Sequence, residues 1–193
     1  MPSAMIHLLT ARDYEPQGDP RFLLGCIAPD YAHERAFKDA IHLRDKPDRA
    51  GALLALRERL DLADSYCLGW LLHLFTDLRW DGSYFKDYRE AHEGEPDWFR
   101  GYHRELHASG YALYHRYPWA EAACAAILRV DLSSLPPALP ANVKDMEEFR
   151  TILMEKTRES DPGIFSAVFP PETVEAFARE TAAAFRCWLE ETV

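Results

Sequence analysis

With 193 residues, 48% of them apolar, the chain is long enough to bury one hydrophobic core, too short for two ordinary domains, and unlike a disordered polypeptide in composition. Its 32 acidic side chains outnumber 22 basic ones, and the resulting formal charge of −10 repels a nucleic-acid duplex or an anionic bilayer on average. Met1-Pro2-Ser3-Ala4 lacks the basic segment, apolar run and cleavage site of a signal peptide, and no stretch approaches a membrane span, which predicts a soluble, cytoplasmic protein without stable membrane anchoring.

Ser3 is placed to cap a first helix to about Asp13, with Ile6, Leu8, Leu9 and Ala11 apolar and His7 among them. Pro16, Gly18 and Pro20 break the chain, and Arg21 to Ile27 reads as a short apolar helix ended by Ala28-Pro29-Asp30. A proline disfavours helical geometry in the residue before it, so Asp30 is expected at the tip of a buried element. Tyr31 to Pro47 reads as an irregular polar connection holding His33, Lys38, His42, Arg44 and Asp45, and connections this long inside a compact domain are usually functional. An amphipathic helix with Leu53, Leu54, Leu56 and Leu60 follows, from Pro47 to about Asp61.

Asp64 or Ser65 then caps the stretch around which the rest is organised, Gly69 to Asp81. Its leucines and aromatics crowd every side of a helical wheel, the pattern of a buried helix, yet His73 and Asp77 sit inside it. Four residues apart, they share a helical face and are able to close on one metal ion; Gly69 leaves room beside that face and Asp81 adds a second carboxylate. A buried imidazole and carboxylate cost free energy unless paired or bound to a cation, and an internal His73–Asp77 hydrogen bond satisfies the same residues.

Asp81 to Tyr117 is polar and aromatic, predicted helical from about Asp97 to Tyr114, with His92, His103, His107 and His115. Helices follow at Ala120 to Val130, Val143 to Glu159 and Glu172 to Thr192, with a stiff Leu135 to Pro140 connector. No alternating run makes a convincing strand and no internal repeat occurs, so the predicted class is all-α, one compact multi-helix domain. Cys26, Cys67, Cys124 and Cys187 stand singly in apolar surroundings, as reduced core thiols do, without the spacing of a disulfide framework or a thiolate zinc site.

The unusual polar residues in apolar settings are His7, Asp30, His42, His73 and Asp77, all of ligand types that zinc, or harder ions such as manganese, accept. Their order resembles the bacterial zinc-dependent phospholipase C family, which shares its all-helical fold with single-strand-specific zinc nucleases. The matching features are His7 on the first helix, the Gly25 to Asp30 segment, His42 in the following loop, and His73 with Asp77 on the central helix, within residues 5 to 81. The resemblance implies that Asp30, His42, His73 and Asp77 hold one metal, that His7 helps hold a second, and that Asp77 bridges. The family's amino-terminal tryptophan ligand and its downstream His-x-x-x-Glu pair have no counterpart, so the expectation is a reduced site with one or two ions, zinc first, manganese or iron next.

His103 and His107, also four apart, are the nearest substitute ligands, and equally two surface histidines of an amphipathic helix; the glutamate between them is out of register for a metalloprotease motif. Arg44 is placed either to receive a phosphate oxygen or to pair with Asp45 or Asp48. Trp80 and Tyr84 either wall the site or belong to the core. The chemistry best matched to these ligands is hydrolysis of a small phosphodiester or phosphomonoester by metal-activated water, with Asp30 as ligand or base. Two alternatives stand beside it. One is a non-catalytic helical protein with a structural metal or buried polar cluster; the other, an HD-type phosphohydrolase, lacks its adjacent His-Asp pair because Leu43 and Arg44 separate His42 from Asp45. The aromatic content allows a homo-oligomer.

Overall fold

The computed structural model describes residues 2–140 and 142–190, and among these residues the regular structure is entirely helical. In chain order the helices are α1 (Ala4–Tyr14), α2 (Pro20–Gly25), α3 (Arg35–Ile41), α4 (Arg49–Arg59), α5 (Ser65–Gly82), α6 (Tyr84–Ala91), α7 (Trp98–Arg116), α8 (Trp119–Leu128), α9 (Val143–Arg158) and α10 (Pro171–Glu190). Short 3₁₀ turns lie at Ala28–Tyr31 and Leu132–Ser134. The expected last helix extended to Thr192, which lies outside the described residues.

The capping chemistry explains several starts. Asp19 accepts from the backbone N–H groups of Arg21 and Phe22 ahead of α2, whose first residue is Pro20; Asp48 accepts from Gly51 at α4; Asp64 accepts from Tyr66 at α5. Ser3 precedes α1 without a side-chain capping bond. Two helices occur where irregular chain was expected. Glu34 caps α3 through Ala36 and Phe37 N–H groups, and α6 starts directly after α5. Both are short and polar, and only Ile41 of α3 and Tyr88 of α6 are buried, so they lack the apolar stripe that would announce them.

The central position of α5 is borne out. Trp70, Leu71, Leu72, Leu74 and Trp80 are buried on its different sides, each burial worth ~1.5–3 kcal/mol. Trp80 belongs to the core: its indole N–H donates to the Tyr102 hydroxyl at 2.7 Å, and its ring stacks on Tyr84. Helix α2 lies along α5, and α1 packs against α10, α7 and α5. The closest approach is glycine to glycine: a Cβ on Gly69 would fall on the Phe22 carbonyl oxygen, and one on Gly25 on that of Tyr66. The room beside Gly69 is therefore filled by the α2 backbone. Cys26, Cys67 and Cys124 are buried and unbridged; Cys187 differs from expectation, lying on the exposed face of α10. Among the described residues no helix is long and apolar enough to cross a membrane.

Candidate metal centre

The α2–α5 crossing sets the first ligand. It places the Cys26 carbonyl 2.8 Å from His73 Nδ1. A carbonyl only accepts, so Nδ1 carries the proton and Nε2 presents a lone pair. His42, at the C-terminus of α3, repeats the arrangement with Nδ1 2.8 Å from the Lys38 carbonyl. Their two Nε2 atoms then face each other at 3.2 Å, lone pair toward lone pair. Backbone carbonyls orienting imidazoles in this way are the usual outer shell of metal-bound histidines.

Carboxylates close the other sides. Asp30, delivered by the 3₁₀ turn, brings Oδ1 to 3.4 Å from His42 Nε2; Asp77, one turn beyond His73 on α5, brings Oδ2 to 3.6 Å from His42 Nε2 and 3.9 Å from His73 Nε2. Ligands 2.0–2.1 Å from a tetrahedral zinc are roughly 3.3–3.4 Å apart, so the spacings suit such an ion. His7 stacks on His73 with ring centroids 3.9 Å apart, and its Nε2 lies 3.5 Å from Asp77 Oδ1. Two ligand groups thus overlap at His73, one of His42, His73 and Asp77 and one of His7, Asp30 and His73, each with donor atoms within 4.8 Å of one another. These buried groups are able to hold a metal ion.

Unsatisfied atoms test the fit. Both ring nitrogens of His7 and Asp77 Oδ1 are buried without a hydrogen-bond partner, whereas Asp30 Oδ1 is met by the Lys38 ammonium at 3.0 Å. Burial, helped by the His7 ring, holds His73 well below the usual imidazole value, so it stays in the neutral form a metal requires. For Asp77 burial acts upward, but contacts with His7, His73 and His42 outweigh it and keep the carboxyl well below its ordinary range. Asp30 is likewise lowered against its burial, by His42 and the Lys38 ammonium.

Charge is balanced where hydrogen bonding is not. Lys38 Nζ is 3.0 Å from Asp30; Arg44 Nη2 is 3.4 Å from Asp77 and 2.9 Å from Asp81; Arg49 Nη1 is 2.7 Å from Asp81. Three carboxylates thus meet three cations, and the cluster is neutral without any added ion. The His7 ring nitrogens and Asp77 Oδ1 are what these cations leave without a hydrogen-bond partner.

All five expected ligands, His7, Asp30, His42, His73 and Asp77, converge. Asp81 instead pairs with Arg44 and Arg49, and Arg44 binds Asp77 and Asp81 where Asp45 or Asp48 was an expected partner. Leu43, at φ +57°, joins His42 to Arg44 in a left-handed turn that sends both side chains to the cluster, a conformation that costs about 1–3 kcal/mol in a non-glycine residue. Lys38 and Arg49 have no role predicted from sequence. The one signal for Lys38 is its position one helical turn before His42; Arg49, bound through Nε to the His42 carbonyl at 3.0 Å, has no local signal.

His42, His73 and Asp77 are fully buried, whereas the Asp30 side chain keeps 14% of its surface and lines a cleft of about 510 Å³. Lys38 and Lys156 reach into this cleft beside His33, and Leu106, Phe149 and Leu153 supply an apolar wall. His103 and His107 line it from α7, apart from both ligand groups. Burial lowers the pKa of each. His92 stacks on Tyr88, and His115 meets Ser160, consistent with ordinary polar roles. No protein-family model, curated protein or solved structure matches the chain.

Proposed function

We propose that the chain is a metal-dependent hydrolase of a small phosphodiester or phosphomonoester, with zinc its first-choice ion. The observation that carries this reading is the pair of Nε2 lone pairs fixed face to face at 3.2 Å by two backbone carbonyls, with Asp30 and Asp77 around them. His42, His73, Asp30 and Asp77 would hold the ion and His7 would support a second. A bound zinc ion supplies a hydroxide at neutral pH, lowering its water's pKa toward ~7, and neutralises phosphoryl charge.

The remaining functions fall to the chain's own groups. Asp30, the cluster member that reaches the cleft, is positioned to orient a water or accept its proton. Lys38 and Lys156 offer ammonium donors to phosphoryl oxygens, and the Leu106, Phe149 and Leu153 wall accommodates an organic substituent while excluding water. The Lys38–Asp30 ion pair holds the carboxylate toward its ionised form.

The test is metal content by mass spectrometry on untagged protein, followed by hydrolysis of p-nitrophenyl phosphate and bis(p-nitrophenyl) phosphate. The expected result is near-stoichiometric metal, absent from Asp77→Ala, with turnover lost on chelation and restored by zinc or manganese. A folded chain that remains metal-free after incubation with zinc, manganese and iron overturns the reading. The charge balance of the cluster favours one rival, a polar core without metal or catalysis, which the folded, metal-free chain would support; metal-replete protein inactive on both ester classes would instead assign a structural metal.

A further inference from the structure

A second polar pocket, of about 390 Å³, opens next to the cluster and shares no lining residue with the Asp30 cleft. Its lining is Arg44, Arg49, Asp81, Phe85, Lys86 and Arg89. Four cationic side chains thus surround one carboxylate in a chain whose formal charge is −10. The acidic neighbours of Arg44 in sequence are engaged elsewhere: Asp45 pairs with Lys46 at 2.8 Å, and Asp48 accepts from the Gly51 N–H at the start of α4.

The cations are organised rather than scattered. Arg44 and Arg49 both converge on Asp81 Oδ2, at 2.9 and 2.7 Å, and the Arg49 side chain is held through Nε by the His42 carbonyl. Arg49 Nη2 is buried and makes no hydrogen bond. Even with Asp77, 3.7 Å from that nitrogen, added to the count, four positive groups face two negative ones. Asp81 takes Nη2 of Arg44 and Nη1 of Arg49, and the edge of the Arg44 fork that remains, together with Lys86 and Arg89 on the same pocket, suits the several oxygens of a tetrahedral oxyanion better than chloride. Lys86 and Arg89 stand exposed at the mouth, and Arg89 lies over the Phe85 ring at 6.0 Å, so an aromatic wall adjoins the charge.

We infer that this pocket is an anion site for a phosphate group, separate from the Asp30 cleft. Arg44 and Arg49 form its floor, Lys86 and Arg89 its gate.

The experiment is isothermal titration of inorganic phosphate into the full-length chain after EDTA treatment and buffer exchange, so that no bound ion competes for the ligand. Saturable binding is expected, weakened at least ten-fold in the Lys86→Ala/Arg89→Ala double variant, whose truncated side chains are exposed and whose folding circular dichroism checks. Lys156→Ala, which alters the other cleft, should leave the affinity unchanged. Arg44→Lys keeps the charge but removes the fork and should weaken binding several-fold. Phenyl phosphate separates two sources of the same chemistry: tighter binding than inorganic phosphate assigns a phosphate ester with its organic part on Phe85, and equal affinity assigns free phosphate. No saturation up to about 20 mM, a free energy weaker than that of a millimolar site, overturns the inference. Binding that survives the double variant, or that is lost in Lys156→Ala, overturns it equally.

Discussion

Two helices of this protein carry potential ligands four residues apart, His73 with Asp77 on α5 and His103 with His107 on α7, and only the first pair lies within a ligand cluster. The local spacing is the same. The difference comes from the surroundings: His73 is fixed by the Cys26 carbonyl and met by His7, His42 and Asp30 from three other parts of the chain, whereas His103 packs edge-on against Phe99 and lines an open cleft. Helical spacing brings two side chains to one face; a site requires other elements to aim donors at the same point.

Removing the imidazole at the centre of the cluster should have the largest effect. His73→Ala should abolish stoichiometric metal and, by opening a cavity in fully buried surroundings, cost about 2–5 kcal/mol in denaturant unfolding. Retained metal in the folded variant would move the site elsewhere.

Gly69→Ala attacks the geometry that orients His73 while leaving every ligand in place. Its Cβ would meet the Phe22 backbone, so overpacking of about 1–3 kcal/mol is expected, read as a fall in melting temperature of several degrees together with weakened metal binding. An unaltered melting temperature would show that the two backbones are not in contact.

Acid should expose the same difference more gently. Folded His73 resists protonation, while in the unfolded chain it titrates near its ordinary value of about 6.5. The unfolded state therefore binds more protons below that value, and stability, complete above it, is lost as pH falls, by about 1 kcal/mol per pH unit from this residue. Asp30 and Asp77, lowered on folding, add a further loss below about pH 4, the unfolded carboxylate value. Unfolding of chelated protein across pH 3.5–7.5 measures the slope, and a flat profile between 7 and 5 would contradict the neutral burial of His73.

The smallest effect is expected at the other pair. His103→Ala/His107→Ala should leave metal content unchanged and shift stability by less than about 1 kcal/mol, since His103 is half-buried and His107 exposed. Loss of metal in that variant would erase the distinction between the two helices.

Much of this is legible in the amino-acid sequence. The apolar crowding of Gly69 to Asp81 identifies the central helix, and polar residues set in apolar runs identify His7, Asp30, His42, His73 and Asp77. Helices α3 and α6 are not legible there, because short polar segments stabilised by a cap and a single buried contact have no periodic stripe. Nor is the fate of Asp81: its place on the His73 face suggests a ligand, but Arg44 and Arg49 take it.

The all-helical class and the short set of residues too costly to bury without partners both follow from side-chain chemistry and local period. How those residues are satisfied depends on packing between distant elements. The Gly25–Gly69 contact brings a carbonyl onto His73, the left-handed Leu43 turns His42 and Arg44 toward one cluster, and Lys38 and Arg49 reach carboxylates on other elements. Orientation of a lone pair and neutralisation of a carboxylate depend on distances of about 3 Å between groups, and such distances are set by packing between elements that no local pattern records.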